Sequence, residues 1–64
     1  MHSSMYTYTI KVLQCVSFDA DLFCKELQKA LNYLLPHEKA ALKQWMRRMV
    51  FLNPHLERGM SFLA

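Results

Sequence analysis

A proline at position 36 divides the most regular part of this chain in two. Inside a helix, proline removes a backbone hydrogen bond and clashes with the preceding turn, but it suits the first position of a new helix. Before it, "SFDADLFCKELQKALNYLL" places Phe23, Leu27, Ala30, Leu31 and Leu34 at helical spacing, with Cys24 beside them. Asp21, Lys25, Gln28, Lys29 and Asn32 take the opposite side, the division of a half-buried helix. Asp19 reads as the N-cap, and Phe18 with Phe23 fits a hydrophobic staple. Asp21 suits the positive end of the helix dipole and stands four positions before Lys25, a favourable pairing distance.

Beyond Pro36, the stretch "LKQWMRRMVFLNP" combines apolar and cationic side chains. At about 100° per residue, Leu42, Trp45, Met46, Met49 and Leu52 fall on one face. Lys39, Lys43 and Arg47 line an adjoining face, Arg48 points away, and Phe51 fits neither stripe. Asn53-Pro54 ends the helix, because the residue before a proline is pushed out of helical geometry. Helices over 20–34 and 36–52 with so short a link are expected to form an antiparallel hairpin. "NPHLERG" then predicts one further turn, with Asn53 as cap and Gly59 as a left-handed stop, before the apolar tail "MSFLA" over 60–64.

The N-terminal run "YTYTIKVLQCV" has two readings. As a strand, Tyr6, Tyr8, Ile10, Val12 and Val16 alternate with Thr7, Thr9 and Lys11. Nothing else in the chain reads as a strand, so residues 6–16 would have to pair across a dimer to satisfy their backbone. As a helix, Tyr6, Ile10, Leu13 and Val16 share a stripe and the chain closes as a small all-α bundle, the reading preferred here. Residues 1–64 make a single domain, with 1–5 disordered or left over from a vector ahead of Met5.

Size sets the functional expectation. A chain of 64 residues buries only roughly 60% of the surface its unfolded form exposes. Yet 53% of its residues are apolar, including Tyr6, Tyr8, Phe18, Phe23, Trp45, Phe51 and Phe62, more than one small core can hide. Small folds answer such a shortfall with disulfides, a metal or association. Cys15 and Cys24 are too few for a disulfide scaffold and read as free thiols of an intracellular, cytoplasmic protein. Cys15, Cys24, His37 and His55 lack the paired spacing of a zinc site. No apolar run approaches the length of a membrane span. Association with a second copy or another protein is the remaining remedy.

Enzyme chemistry finds no parts. One glycine rules out a phosphate-cradling loop, and the carboxylates are taken up by helix ends and surface pairing. Cys24 with His37 would make a nucleophile and base, but Cys24 belongs beside the apolar stripe, where thiols are inert. Ser17 reads as a turn residue. No cofactor, metal or small-molecule substrate is inferred. The expected function is non-enzymatic association, most simply as a homodimer, through Trp45, Met46, Met49 and Phe51, then Phe62 and Leu63.

The alternative follows the charge. Residues 1–35 balance to zero, whereas Lys39, Lys43, Arg47, Arg48 and Arg58 against Glu38 and Glu57 leave +3 in residues 36–64. With residues 6–13 as a strand, the order strand, helix, helix resembles the ribbon-helix-helix family of DNA-binding regulators. That resemblance implies that Thr7, Thr9 and Lys11 face bases from a paired ribbon, with Lys39, Lys43, Arg47 and Arg48 available to phosphates. The turn "LLPHE" departs from the family's small polar or glycine residues at that place.

Overall fold

Asp19 does what its position asks: its Oδ1 accepts the Asp21 and Leu22 amides at 3.0 and 3.2 Å, opening a helix over Ala20–Leu31. In the computed structural model, which describes residues 4–63, this is the second of three α-helices. They are α1 (Ser4–Cys15), α2 (Ala20–Leu31) and α3 (Pro36–Leu52), followed by a 3₁₀ segment over Pro54–Leu63. The structure is all-α, with no strand among the described residues. Residues 1–3 and Ala64 lie outside them, so the expectation of a disordered or vector-derived 1–5 falls largely outside the described residues; Ser4 and Met5 belong to α1.

Residues 6–15 are therefore helix, and the strand alternative is corrected. Leu13 and Thr9 are buried, while Tyr6, Ile10 and Val16 pack against the core at helical spacing. Tyr8, which a strand would have turned to the same side as Tyr6, is exposed. A helix satisfies its backbone from within, and that requirement outweighs the β-branched composition. The Thr9 hydroxyl donates to the Met5 carbonyl at 2.8 Å, meeting its own polar need inside the helix.

α2 closes earlier than the apolar pattern implied. Tyr33 and Leu34 amides both donate to the Ala30 carbonyl, tightening the last turn, and Leu34 reaches the core from beyond the helix end. Leu35 is extended, as expected of the residue before Pro36. Glu38 at the third position of α3 accepts the Leu35 amide at 2.9 Å, the acidic half of a capping box. Other local expectations fail. Phe18 is 77% exposed and provides no staple. Asp21 pairs with Arg58 instead of Lys25. The ion pair that forms within α2 among the described residues is Glu26 with Lys29, three positions apart, at 3.0 Å.

The residues after Asn53 do more than make one turn. The Asn53 amide closes α3 on the Met49 carbonyl, its side chain adds a second bond there, and its carbonyl accepts the first bond of the 3₁₀ segment, from Leu56. That segment runs to Leu63, much longer than isolated 3₁₀ turns usually persist. Tertiary contact holds it: it lies against both α2 and α3, burying Leu56 and Gly59, with Met60 and Leu63 half-covered. His55 Nε2–H donates to the Ser17 carbonyl at 2.6 Å, and Arg58 meets Asp21.

Gly59 is not the left-handed stop expected of it, since no glycine here has positive φ. Its value is the absence of a side chain. A Cβ there would come within 3.0 Å of Met46 Cε and 3.2 Å of Leu27 Cδ2, so the segment enters between α2 and α3 only because this position is bare. One cluster results, made of Leu13, Phe23, Leu27, Ala30, Leu34, Leu42, Met46 and Leu56. Phe23, within that cluster, stacks on Trp45 with ring centroids 6.5 Å apart. The radius of gyration, 10.5 Å, is close to the roughly 11 Å of a compact domain of this length.

Candidate association surfaces

Core closure leaves several large apolar side chains behind. Phe23 is the one aromatic ring that is fully buried; Tyr6 and Trp45 are half-covered, and Tyr8, Phe18, Tyr33, Phe51 and Phe62 stand exposed. They divide among three places on the surface, each set by the local course of the chain.

At the last turn of α3, Phe51 is 84% exposed and Leu52 is open beside it. Phe51 lies off the core stripe, with Arg47 and Arg48 one turn before it on the helix. Leu52, expected on the core face, sits at the edge of that stripe in the final turn, where the chain bends away at Asn53. The bond from His55 to Ser17 brings the start of the 3₁₀ segment to the α1–α2 turn, which carries Phe18. The sequence pointed to a staple for Phe18 and the core face for Leu52, not to exposure; the failed staple and the end of α3 are what expose them.

Between α1 and α2 lies a cleft of about 190 Å³ lined by Met5, Tyr8, Val12, Leu13, Ala30 and Tyr33, with the Glu26–Lys29 ion pair at its edge. The Lys29 ammonium is held above its ordinary range, first by its hydrogen bond to Glu26 and then by that residue's charge. Both signs are satisfied here, leaving the cleft electrically neutral. The sequence placed neither ring in a cleft: Tyr8 lies off the apolar stripe of α1, and Tyr33 follows the end of α2.

The third place brings together residues that pointed to different functions. Phe62 and Leu63 from the 3₁₀ segment meet Lys39 and Lys43 of α3, with Leu31 and Ala40, around a groove of about 300 Å³. On the far side of Phe62, a second and wider depression is lined by Cys24, Lys25, Gln28 and Ser61 together with Asp21 and Arg58.

The remaining expected sites are dispersed. Met46 is 0% exposed, so as a partner contact it is corrected to a core residue, its placement fixed by the apolar face of α3. Trp45 and Met49 are half-buried against the same core, leaving only their outer edges. Thr7 and Lys11 are exposed on α1, but Thr9 between them is buried and bonded to Met5. The three therefore form no common face, and the ribbon that the DNA-binding resemblance requires is absent from the described residues. Lys39, Lys43, Arg47 and Arg48 form no ion pair among the described residues.

Little in the interior resembles reactive chemistry. Cys15 is exposed, Cys24 is buried, and both are free. No group of three metal-ligating side chains occurs among the described residues. Glu38 is the one buried carboxylate, 2% exposed, held by the Leu35 amide. Tyr6 feels it: burial, and secondly the Glu38 charge, hold the phenol above its usual value of 10.0. No described helix is long and apolar enough to cross a membrane. Comparison of the chain with protein-family models, curated proteins and solved structures gives no match.

Proposed function

We propose that this protein works by association with another protein chain, with no catalytic step of its own, and that a second copy is its first companion. The observation that carries this reading is Phe51, 84% exposed one turn from a core that has already closed. A ring so placed contributes nothing to the fold of one copy, and exposed apolar area of this kind gains free energy when a partner covers it. Leu52 extends the apolar surface there, and Phe18 stands exposed on the α1–α2 turn that His55 joins; the outer edges of Trp45 and Met49 lie on other faces of α3. Aromatic anchors and adaptable methionines are the residue types that dominate binding energy at interfaces. A two-fold arrangement satisfies the same patch on both copies at once.

Sedimentation equilibrium tests the reading. At concentrations of tens of micromolar, the mass is expected to approach twice the 7.6 kDa of one chain and to fall to a single chain on dilution. Phe51→Ser is expected to hold the protein at one chain over the same range while leaving its helical circular dichroism unchanged. A wild-type mass of one chain at the highest concentration would remove self-association, and a dimer indifferent to Phe51→Ser would move the interface elsewhere.

A further inference from the structure

Phe62 stands 41% exposed as a ridge between two depressions. Leu31, Leu63, Lys39 and Lys43 line one side; Lys25 and Gln28 line the other. Among the described residues that line the two depressions, Asp21 supplies the sole carboxylate, and Arg58 already engages it. Lys25, Lys39 and Lys43 have no ion pair among the described residues. An apolar ridge with an apolar groove on its α3 side thus stands among lysines that no described side chain pairs.

We infer that this surface docks an acidic, amphipathic helical segment of a different protein, its apolar side chains against Phe62, Leu63 and Leu31, its carboxylates toward Lys39, Lys43 and Lys25. Charge complementarity selects the occupant. Lys39 and Lys43 are one turn apart on α3, roughly 5–6 Å between Cβ atoms, the spacing at which a partner helix presents successive acidic residues. Lys43 is half-buried, so its methylene stem forms part of the groove wall while its ammonium stays at the rim. A groove of about 300 Å³ accommodates a few anchoring side chains, at the small end of the roughly 300–1,000 Å³ typical of ligand sites.

The same charges exclude other occupants. A second copy docked through this face would set lysine against lysine, the repulsion by which interfaces reject wrong partners. Nucleic acid would use the cations through its phosphates but leave the apolar ridge and groove uncovered. A lipid surface is flat and does not fill a groove lying between α3 and the 3₁₀ segment. The site is separate from Phe51, and the inference stands whether or not the chain dimerises there.

Fluorescence anisotropy with the full chain tests it, using as probe a labelled helical peptide with leucines on one face and glutamates on the flanking positions. Saturable binding is expected, weakening as salt is raised and about tenfold weaker with the glutamates replaced by glutamine. Lys39→Glu with Lys43→Glu, both on the outer face of α3, is expected to weaken binding about tenfold or more, as is Phe62→Ser. Lys11→Glu on α1 and Phe51→Ser are expected to leave it unchanged, the latter separating this site from self-association. Circular dichroism checks that each variant keeps its helices, and the lysine reversals decide the matter if Phe62→Ser does not. Failure of the peptide to bind, binding indifferent to the lysine reversals, or tighter capture of duplex DNA or phosphatidylserine vesicles through the same residues would overturn the inference.

Discussion

The last turn of α3 and the 3₁₀ segment after it are consecutive in the chain and both rich in large apolar residues, but they meet opposite fates. Leu56 is wholly buried four residues after Leu52, which stands in water, and Phe51 is more exposed still. Apolar content does not separate them. What does is anchorage and room: His55 and Arg58 tie the segment to Ser17 and Asp21, and Gly59 opens the space into which it packs. Phe51 has neither, since it lies off the core stripe of a helix whose buried positions are already taken by Leu42 and Met46. For so short a chain, burial is decided by access to one small core, and surplus side chains remain outside.

The widest contrast comes from truncating each region. Leu56→Ala removes a filled position in the core and is expected to cost about 2–5 kcal/mol. A domain of this length has roughly 3–10 kcal/mol of total stability, so the variant will be partly unfolded near physiological temperature. Phe51→Ala is expected to change stability by no more than about 0.5 kcal/mol when measured on the dilute, monomeric protein. Urea denaturation of the two variants side by side is the check. Comparable losses at both positions would show that the last turn of α3 is tied to the core after all.

Gly59→Ala sharpens the contrast by filling the space instead of emptying it. Two effects oppose. Alanine in helical geometry is favoured over glycine by roughly 0.5–1 kcal/mol through backbone entropy. Against that, the new Cβ would stand 3.0 Å from Met46 Cε and 3.2 Å from Leu27 Cδ2, both belonging to fully buried side chains. Overpacking a filled core typically costs about 1–3 kcal/mol, so net destabilisation is expected, and Gly59→Val should be worse. A higher melting temperature for Gly59→Ala would mean that the Met46 thioether swings aside and that the segment is held mainly by its polar ties.

These effects also mark what the sequence could reveal. Asp19, Pro36 and the apolar stripes of α2 and α3 act within a turn or two of themselves, and each structures its surroundings as its chemistry predicts except at the helix ends, where α2 closes before Leu34 and Leu52 is left outside. In α1, local composition pointed both ways; the decision came from tertiary packing of Tyr6, Ile10 and Leu13, which no short window contains. The role of Gly59 was invisible for a related reason. A glycine after a helix usually signals a conformation, whereas here it signals a distance to side chains on two other helices. At the surface, Phe51 was legible because it fell off its stripe. The meeting of Phe62 and Leu63 with Lys39 and Lys43 was not, since it depends on where the 3₁₀ segment turns across α3.

The smallest effect carries the comparison of covered and open side chains into α1, where Tyr6 packs against the core while Tyr8 faces out. Burial first, and then the nearby Glu38 charge, hold the Tyr6 phenol above 10.0 in the folded protein. As pH rises past the ordinary tyrosine value, the unfolded chain releases this proton before the folded one does. The folded state then binds more protons than the unfolded state, so stability falls with rising pH. Below that value both states keep the proton and the stabilisation does not vary with pH. Wild-type protein is therefore expected to lose stability more steeply between about pH 9.5 and 11 than Tyr6→Phe, whose ring cannot ionise. Titrations common to both proteins cancel in the difference, which leaves Tyr6 itself. The effect should be slight because the ring is only half-covered and its hydroxyl keeps access to water. Paired urea titrations across that range provide the measurement; parallel pH profiles would place the phenol in open solvent and break the contrast with Tyr8.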